Sequence, residues 1–142
     1  MSANLPLDIQ LIISRLKEQV PALQIVEDGV ALDSLESLRS FRASSAYVVL
    51  DSESGESDQH QHTQQVTARF AVVVAEVNSR PDELMAAARI LIGATRNALI
   101  GWMPANREFR SCVWRSGKML EHDQSVLLWI DMYDVNYFNT GN

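Results

Sequence analysis

The segment Gln64 to Val77, QQVTARFAVVVAEV, restricts the possible folds more than any other stretch of the chain. Its first half alternates, with Val66, Ala68 and Phe70 on one face of an extended strand and Thr67 and Arg69 on the other. From Ala71 to Ala75 both faces are apolar. A strand apolar on one side needs one covering layer, and a strand apolar on both sides needs two. That half is therefore expected at the centre of a sheet covered on both sides, or covered on one of them by a neighbouring copy.

The other elements group around it. Leu7, Leu11, Ile12 and Leu16 trace an amphipathic stripe, with Pro6 at its start and Pro21 beyond its end, and predict a helix over Leu7 to Gln19. Gln24 to Asp28 (QIVED) reads as a short strand closed by Gly29, and Ala46 to Asp51 (AYVVLD) as a longer one. Between them Asp33 and Glu36 have the spacing of a capping box, so a helical turn over Ser34 to Arg39 is expected. Residues 52–63, SESGESDQHQHT, contain no apolar side chain. They are expected to form a loop, mobile in a free subunit and ordered only in an assembly.

Ser79-Arg80-Pro81-Asp82-Glu83 opens a second helix, with Ser79 as the expected cap and two carboxylates where the helix dipole favours them. Leu84, Ala88, Leu91, Thr95, Leu99 and Trp102 share one stripe, and Gly101 and Pro104 end the helix. Arg110 to Lys118 and Ser125 to Phe138 read as two final strands around a turn at Leu120 to Asp123. The order α-β-β-β-α-β-β predicts an α+β fold, a mixed, mainly antiparallel sheet packed against two helices. With neither repeat nor linker, residues 1–142 are expected to form one domain.

Charge narrows the partners. Twelve Lys and Arg against eighteen Asp and Glu leave a net of −6, which opposes a sequence-independent grip on nucleic acid. Residues 27–58 hold eight acidic side chains against Arg39 and Arg42, a net of −6 in that stretch alone. Residues 89–118 hold six basic side chains against Glu108, a net of +5. These are either solvated faces or two electrostatically opposite surfaces suited to head-to-tail contact between copies. No apolar run approaches the ~20 residues of a membrane span. The opening MSANLPLDIQLIISRLK lacks a basic leader and carries Asp8, so a soluble cytoplasmic domain with no membrane partner is expected.

Catalytic patterns are sparse. His60 and His62, with Asp58 beside them and His122 or Asp123 as a third donor, are the most metal-like group, yet they lack zinc-site spacing and are expected to be loop residues. Asp51 and Glu53 lack the further carboxylate and lysine of a nuclease-type metal site. Cys112 has no neighbouring histidine and reads as a buried structural thiol. The six glycines form no phosphate loop. Trp102, Trp114, Trp129, Tyr133 and Tyr137 are expected in the core or an interface rather than as a base-stacking platform. No catalytic residue, metal or cofactor is expected.

Four stretches together carry a resemblance: RLKEQVPALQIVED, AYVVL with its polar loop, QQVTARFAVVVAEV, and ARILIGATRNALIGWMP with its ALIGW-P ending. They cover most of the chain, with an Asp- and Tyr-rich last strand (IDMYDVNYF), and resemble the tail terminator, or tail completion, proteins of long-tailed bacteriophages. The resemblance implies a structural protein and not an enzyme. It implies a ring, commonly of six subunits, that caps the tail tube at its head-proximal end, ends polymerisation and joins tail to neck. Its partners would be copies of itself, the tube protein and a neck or head-completion protein, with DNA passing the lumen without specific binding. Such a protein is assembled in the host cytoplasm and resides in the virion. Another head–tail connector or minor tail protein, or a small metal-dependent enzyme, are the alternatives.

A closed ring needs two different complementary faces on each copy. Arg107, Arg110 and Arg115 are therefore the candidate interface cations, facing Asp51, Glu53, Glu56 and Asp58 of a neighbour. The same two segments could instead lie together within one subunit.

Overall fold

A computed structural model describes residues 4–35, 37–56, 62–104 and 110–141 of the protein. Helix α1 (Ile9–Gln19) leads into strand β1 (Ile25–Asp28), then two 3-10 turns (Gly29–Ser34 and Leu38–Ser40) and β2 (Ser45–Gly55). Strand β3 (Thr63–Val77), helix α2 (Pro81–Leu99), β4 (Val113–His122) and β5 (Val126–Thr140) follow. The sheet order is β1-β2-β3-β5-β4. The β1–β2 pair is parallel and every other pair antiparallel, so the fold is the expected α+β type in the expected element order.

The apolar segment of β3 lies at the centre, as its pattern requires. Val72 and Val74 face the helices, where Ile12, Leu16, Leu91 and Leu99 cover them. Val73 and Ala75 face the other way, towards Leu38 and Phe41, with Tyr47 beside Val73 on the neighbouring strand. Parallel neighbours need a crossover. Here residues 29–44 make that crossover in 3-10 turns and lay it over the second face of the sheet. The chain itself thus supplies the second layer at Val73 and Ala75. Phe70 stacks on Tyr133 at 5.3 Å between centroids on the helix side, and Phe41 meets Tyr47 edge-on at 5.9 Å on the other.

Local signals were partly displaced. Asp8, not the preceding turn, caps α1 by accepting from Gln10 N–H at 3.0 Å. Asp28 caps the first 3-10 turn at Val30 N–H, so that turn lies N-terminal to the expected Ser34–Arg39, the second overlaps its end at Leu38 and Arg39, and Glu36 lies outside the described residues. At α2 the Asn78 carboxamide, rather than Ser79, accepts from the N–H of the capping residue Arg80. The largest departure is in β2. Ser52 to Gly55, expected in a loop, continue the strand opposite Arg69 to Val66 after a register shift at Asp51. The ladder needs no apolar side chains, and the shift turns Glu53 to the helix side, where it is anchored. Residues 57–61 of the expected loop lie outside the described residues. Among the described residues no helix is long and apolar enough to cross a membrane.

Candidate subunit interface

The sheet order separates the charged segments. β1 is one edge, with Glu27 exposed and Asp33 exposed in the turn beyond it. β4 is the opposite edge, with Arg115 and Lys118 exposed and Arg110 just before it. β4 also exposes Val113, Trp114 and Leu120, and a cleft of about 390 Å³ lined by Ser116, Gly117, Lys118, Ile130 and Met132 opens beside it. Along α2, Met85 and Ile90 are exposed as well.

Of the seven candidate interface residues, Arg107 and Asp58 lie outside the described residues. Arg110 presents an exposed side chain while its N–H donates to the Asn136 carbonyl at 2.9 Å. Asp51 is exposed at the register shift within β2, and Glu56 is exposed just beyond the strand's end. Glu53 is instead engaged within the subunit. Its Oε2 accepts from Leu7 N–H at 3.0 Å and from the Tyr137 hydroxyl at 2.7 Å. Burial, then Glu53 itself, pushes the Tyr137 hydroxyl pKa up. Arg115 is partly engaged, its Nε 3.3 Å from Asp134 Oδ2. Asp134 also takes two hydrogen bonds from Arg69, at 2.8 and 3.1 Å. The structure therefore brings Arg69, Asp134 and Arg115 together on one sheet face. The basic stretch finds part of its counter-charge on β5, which a segment-by-segment charge count does not reveal.

A second cluster holds the β4 edge in place. Asp131, fully buried on β5, accepts from Arg96 Nε and Nη2, both at 2.9 Å. Its Oδ1 also accepts the indole N–H of Trp114 at 3.0 Å and of Trp129 at 2.8 Å. The Arg96 guanidinium lies 4.8 Å from the Trp114 ring centre and 5.8 Å from that of Trp129. Hydrogen bonding to Asp131 raises the Arg96 pKa further, so the cation persists. A carboxylate saturated by one guanidinium and two indoles has no lone pair directed at a substrate. Its role is to tie α2, β4 and β5 together. The tryptophans thus serve packing and this network, as their amphipathic setting suggests, with Trp114 still 37% exposed. Neither Arg96 nor Asp131 stands out in the sequence as a site residue. The available signal was the alternation of β5, which puts Asp131 on the face of Trp129 and Tyr133, where a carboxylate requires a cation.

Of the metal-like group, His62, His122 and Asp123 lie among the described residues. His62 is exposed, and His60 and Asp58 lie outside the described residues. Asp123 closes the β4–β5 turn by accepting from Ser125 and Val126 N–H, both at 2.8 Å, and those bonds hold its carboxyl below the usual range. Among the described residues no group of three or more His, Cys, Asp or Glu is placed to hold a metal ion. Cys112 is buried, and burial pushes its thiol up to about 12, which keeps it protonated at neutral pH.

A family model described as phage tail terminator protein matches residues 2–141. The chain belongs to the phage tail terminator family. No match to a curated protein sequence reaches significance. A chain from the virion of a native gene transfer agent particle shares the fold, with a TM-score of 0.60 at 14% identity over 90% of this chain and 92% of that one. This member of the family is accordingly a structural protein of a phage tail, located in the virion.

Proposed function

We propose that the chain forms a ring, of six copies, at the head-proximal end of the tail, where it caps the tube, stops its growth and joins it to the neck. The match to the tail terminator family over residues 2–141 carries this reading. Residues 1–142 act as one unit that works by binding, without catalysis or cofactor. Its partners are further copies, the tube protein and a neck or head-completion protein.

Two surfaces of opposite charge on opposite sheet edges support heterologous contacts, which close into a ring when the rotation between copies allows. Exposed Arg110 and Arg115, with Arg107 near them in sequence, are the cationic candidates. Asp51, Glu56 and Asp58 remain acidic candidates, while Glu53 contributes chiefly by holding the end of β2. Any acidic side chains that line the lumen would repel phosphate and let DNA pass unbound. Assembly takes place in the host cytoplasm.

Purified tube protein polymerised with and without the chain tests the reading. Tubes of limited length carrying the chain at one end are expected. Tubes that grow to the same lengths in its presence would contradict it.

A further inference from the structure

The register of the sheet connects its two edges residue by residue. Glu27 on β1 pairs with Tyr47, Tyr47 with Val73, Val73 with Ile130, and Ile130 with Lys118 on β4. Directly paired residues point to the same face of a sheet. Glu27 and Lys118 therefore end one row, on one face, at opposite edges. Both side chains are exposed, and neither has an ion pair among the described residues.

We propose that the β4 edge of one subunit packs against the β1 edge of the next copy, with Lys118 facing the neighbour's Glu27. The proposal rests on the ring reading and names the surface that closes it. Directions agree: β1 runs parallel to β2, and the three antiparallel pairings that follow leave β4 antiparallel to β1. A head-to-tail copy thus offers β4 an antiparallel partner. Lengths agree as well. Register shifts at Arg115 and Leu120 bracket Ser116 to Met119, a regular stretch with as many residues as β1.

Bulges and an edge lysine normally deter strand addition. In this setting they make the edge selective. A long or uncharged strand meets the bulges and leaves Lys118 unpaired, whereas a short strand carrying Glu27 satisfies both. Apolar surface supports the same pairing. Val30 is 73% exposed just beyond β1, and the cleft lined by Ser116, Ile130 and Met132 opens beside β4, so each edge carries apolar surface for the other. Glu121 ends the neighbouring row opposite Ile25, so no like charge opposes it there.

The test compares wild type with Lys118→Glu, Glu27→Lys and the double reversal, by mass in solution and by imaging on tube ends, with circular dichroism to verify folding. Each single reversal is expected to raise the concentration for half-assembly roughly tenfold or more, and the double reversal to recover most of it. A chain carrying both Glu27→Cys and Lys118→Cys, treated with a short bismaleimide, should give a ladder of linked copies, because Cys112 is buried. A ring that forms normally with both single reversals and yields no ladder overturns the edge pairing and leaves the ring reading intact. A wild-type chain that stays monomeric alone and on tube ends overturns both.

Discussion

Arg96 on α2 and Asp131 on β5 meet through two parallel hydrogen bonds of 2.9 Å, roofed by the rings of Trp114 and Trp129. This pair joins the helix layer to the strand edge that carries the basic surface. Removing one partner of a buried pair leaves the other desolvated, at a cost of ~3–5 kcal/mol. Arg96 retains some solvent contact, its side chain being 32% exposed, which places Asp131→Ala near the lower end. Chemical denaturation should therefore show a loss of about 3 kcal/mol, with Trp fluorescence altered because both indoles lose their acceptor. A loss under about 1 kcal/mol would mean that the network does not fix the edge.

Gly117 and Gly101 should respond differently to alanine. A Cβ at Gly117 would overlap the Asp131 carboxylate and lie 2.9 Å from Arg96 Nη2 and 3.0 Å from the Trp129 ring. Overpacking of this kind costs ~1–3 kcal/mol and here also disturbs the ion pair. Gly101 has φ +82° with open space around it, so Gly101→Ala carries only backbone strain, about 1 kcal/mol. Melting curves of the two variants should rank them in that order.

Glu53 should prove to be a structural acid. Glu53→Ala removes the acceptor shared by Leu7 N–H and the Tyr137 hydroxyl, and a charged hydrogen bond contributes ~1.5–3 kcal/mol. Amide exchange should quicken at Ser52 to Gly55 and at Leu7 while the centre of β3 stays protected. Unchanged exchange at those positions would show that the strand ladder alone holds the end of β2.

Alkaline pH should destabilise the fold through groups buried in its core. Burial pushes the Cys112 thiol from 9.0 up to about 12 and raises the Tyr133 hydroxyl as well. Both groups bind protons more tightly when folded, so their contribution is complete below the unfolded values and declines as pH rises through the folded ones. Stability should fall between pH 9 and pH 12, and Cys112→Ala should flatten that decline. An identical slope in the variant would assign the loss to other groups.

Much of the fold was legible because its strongest signals are periodic. The two-sided apolar run of β3, the α2 stripe and the alternation of β5 each reflect burial, which the local pattern records directly. The extension of β2 through Ser52 to Gly55 was not legible, since it depends on cross-strand hydrogen bonds and on a glutamate anchored by residues distant in sequence. The interface candidates rest on charge along the chain. Charge along the chain does not show that Asp134 engages both Arg69 and Arg115, nor that Glu53 turns inward. Nor does it show that Glu27 and Lys118 end one row, which follows only from the pairing order of five strands.

Particle imaging of tail tubes bound by the chain addresses the ring directly. The expected result is one closed ring of six subunits at a single end of each tube, the head-proximal end in intact virions, with β4 of each subunit beside β1 of the next. Single copies, copies distributed along the tube, or tubes without any bound chain would contradict it.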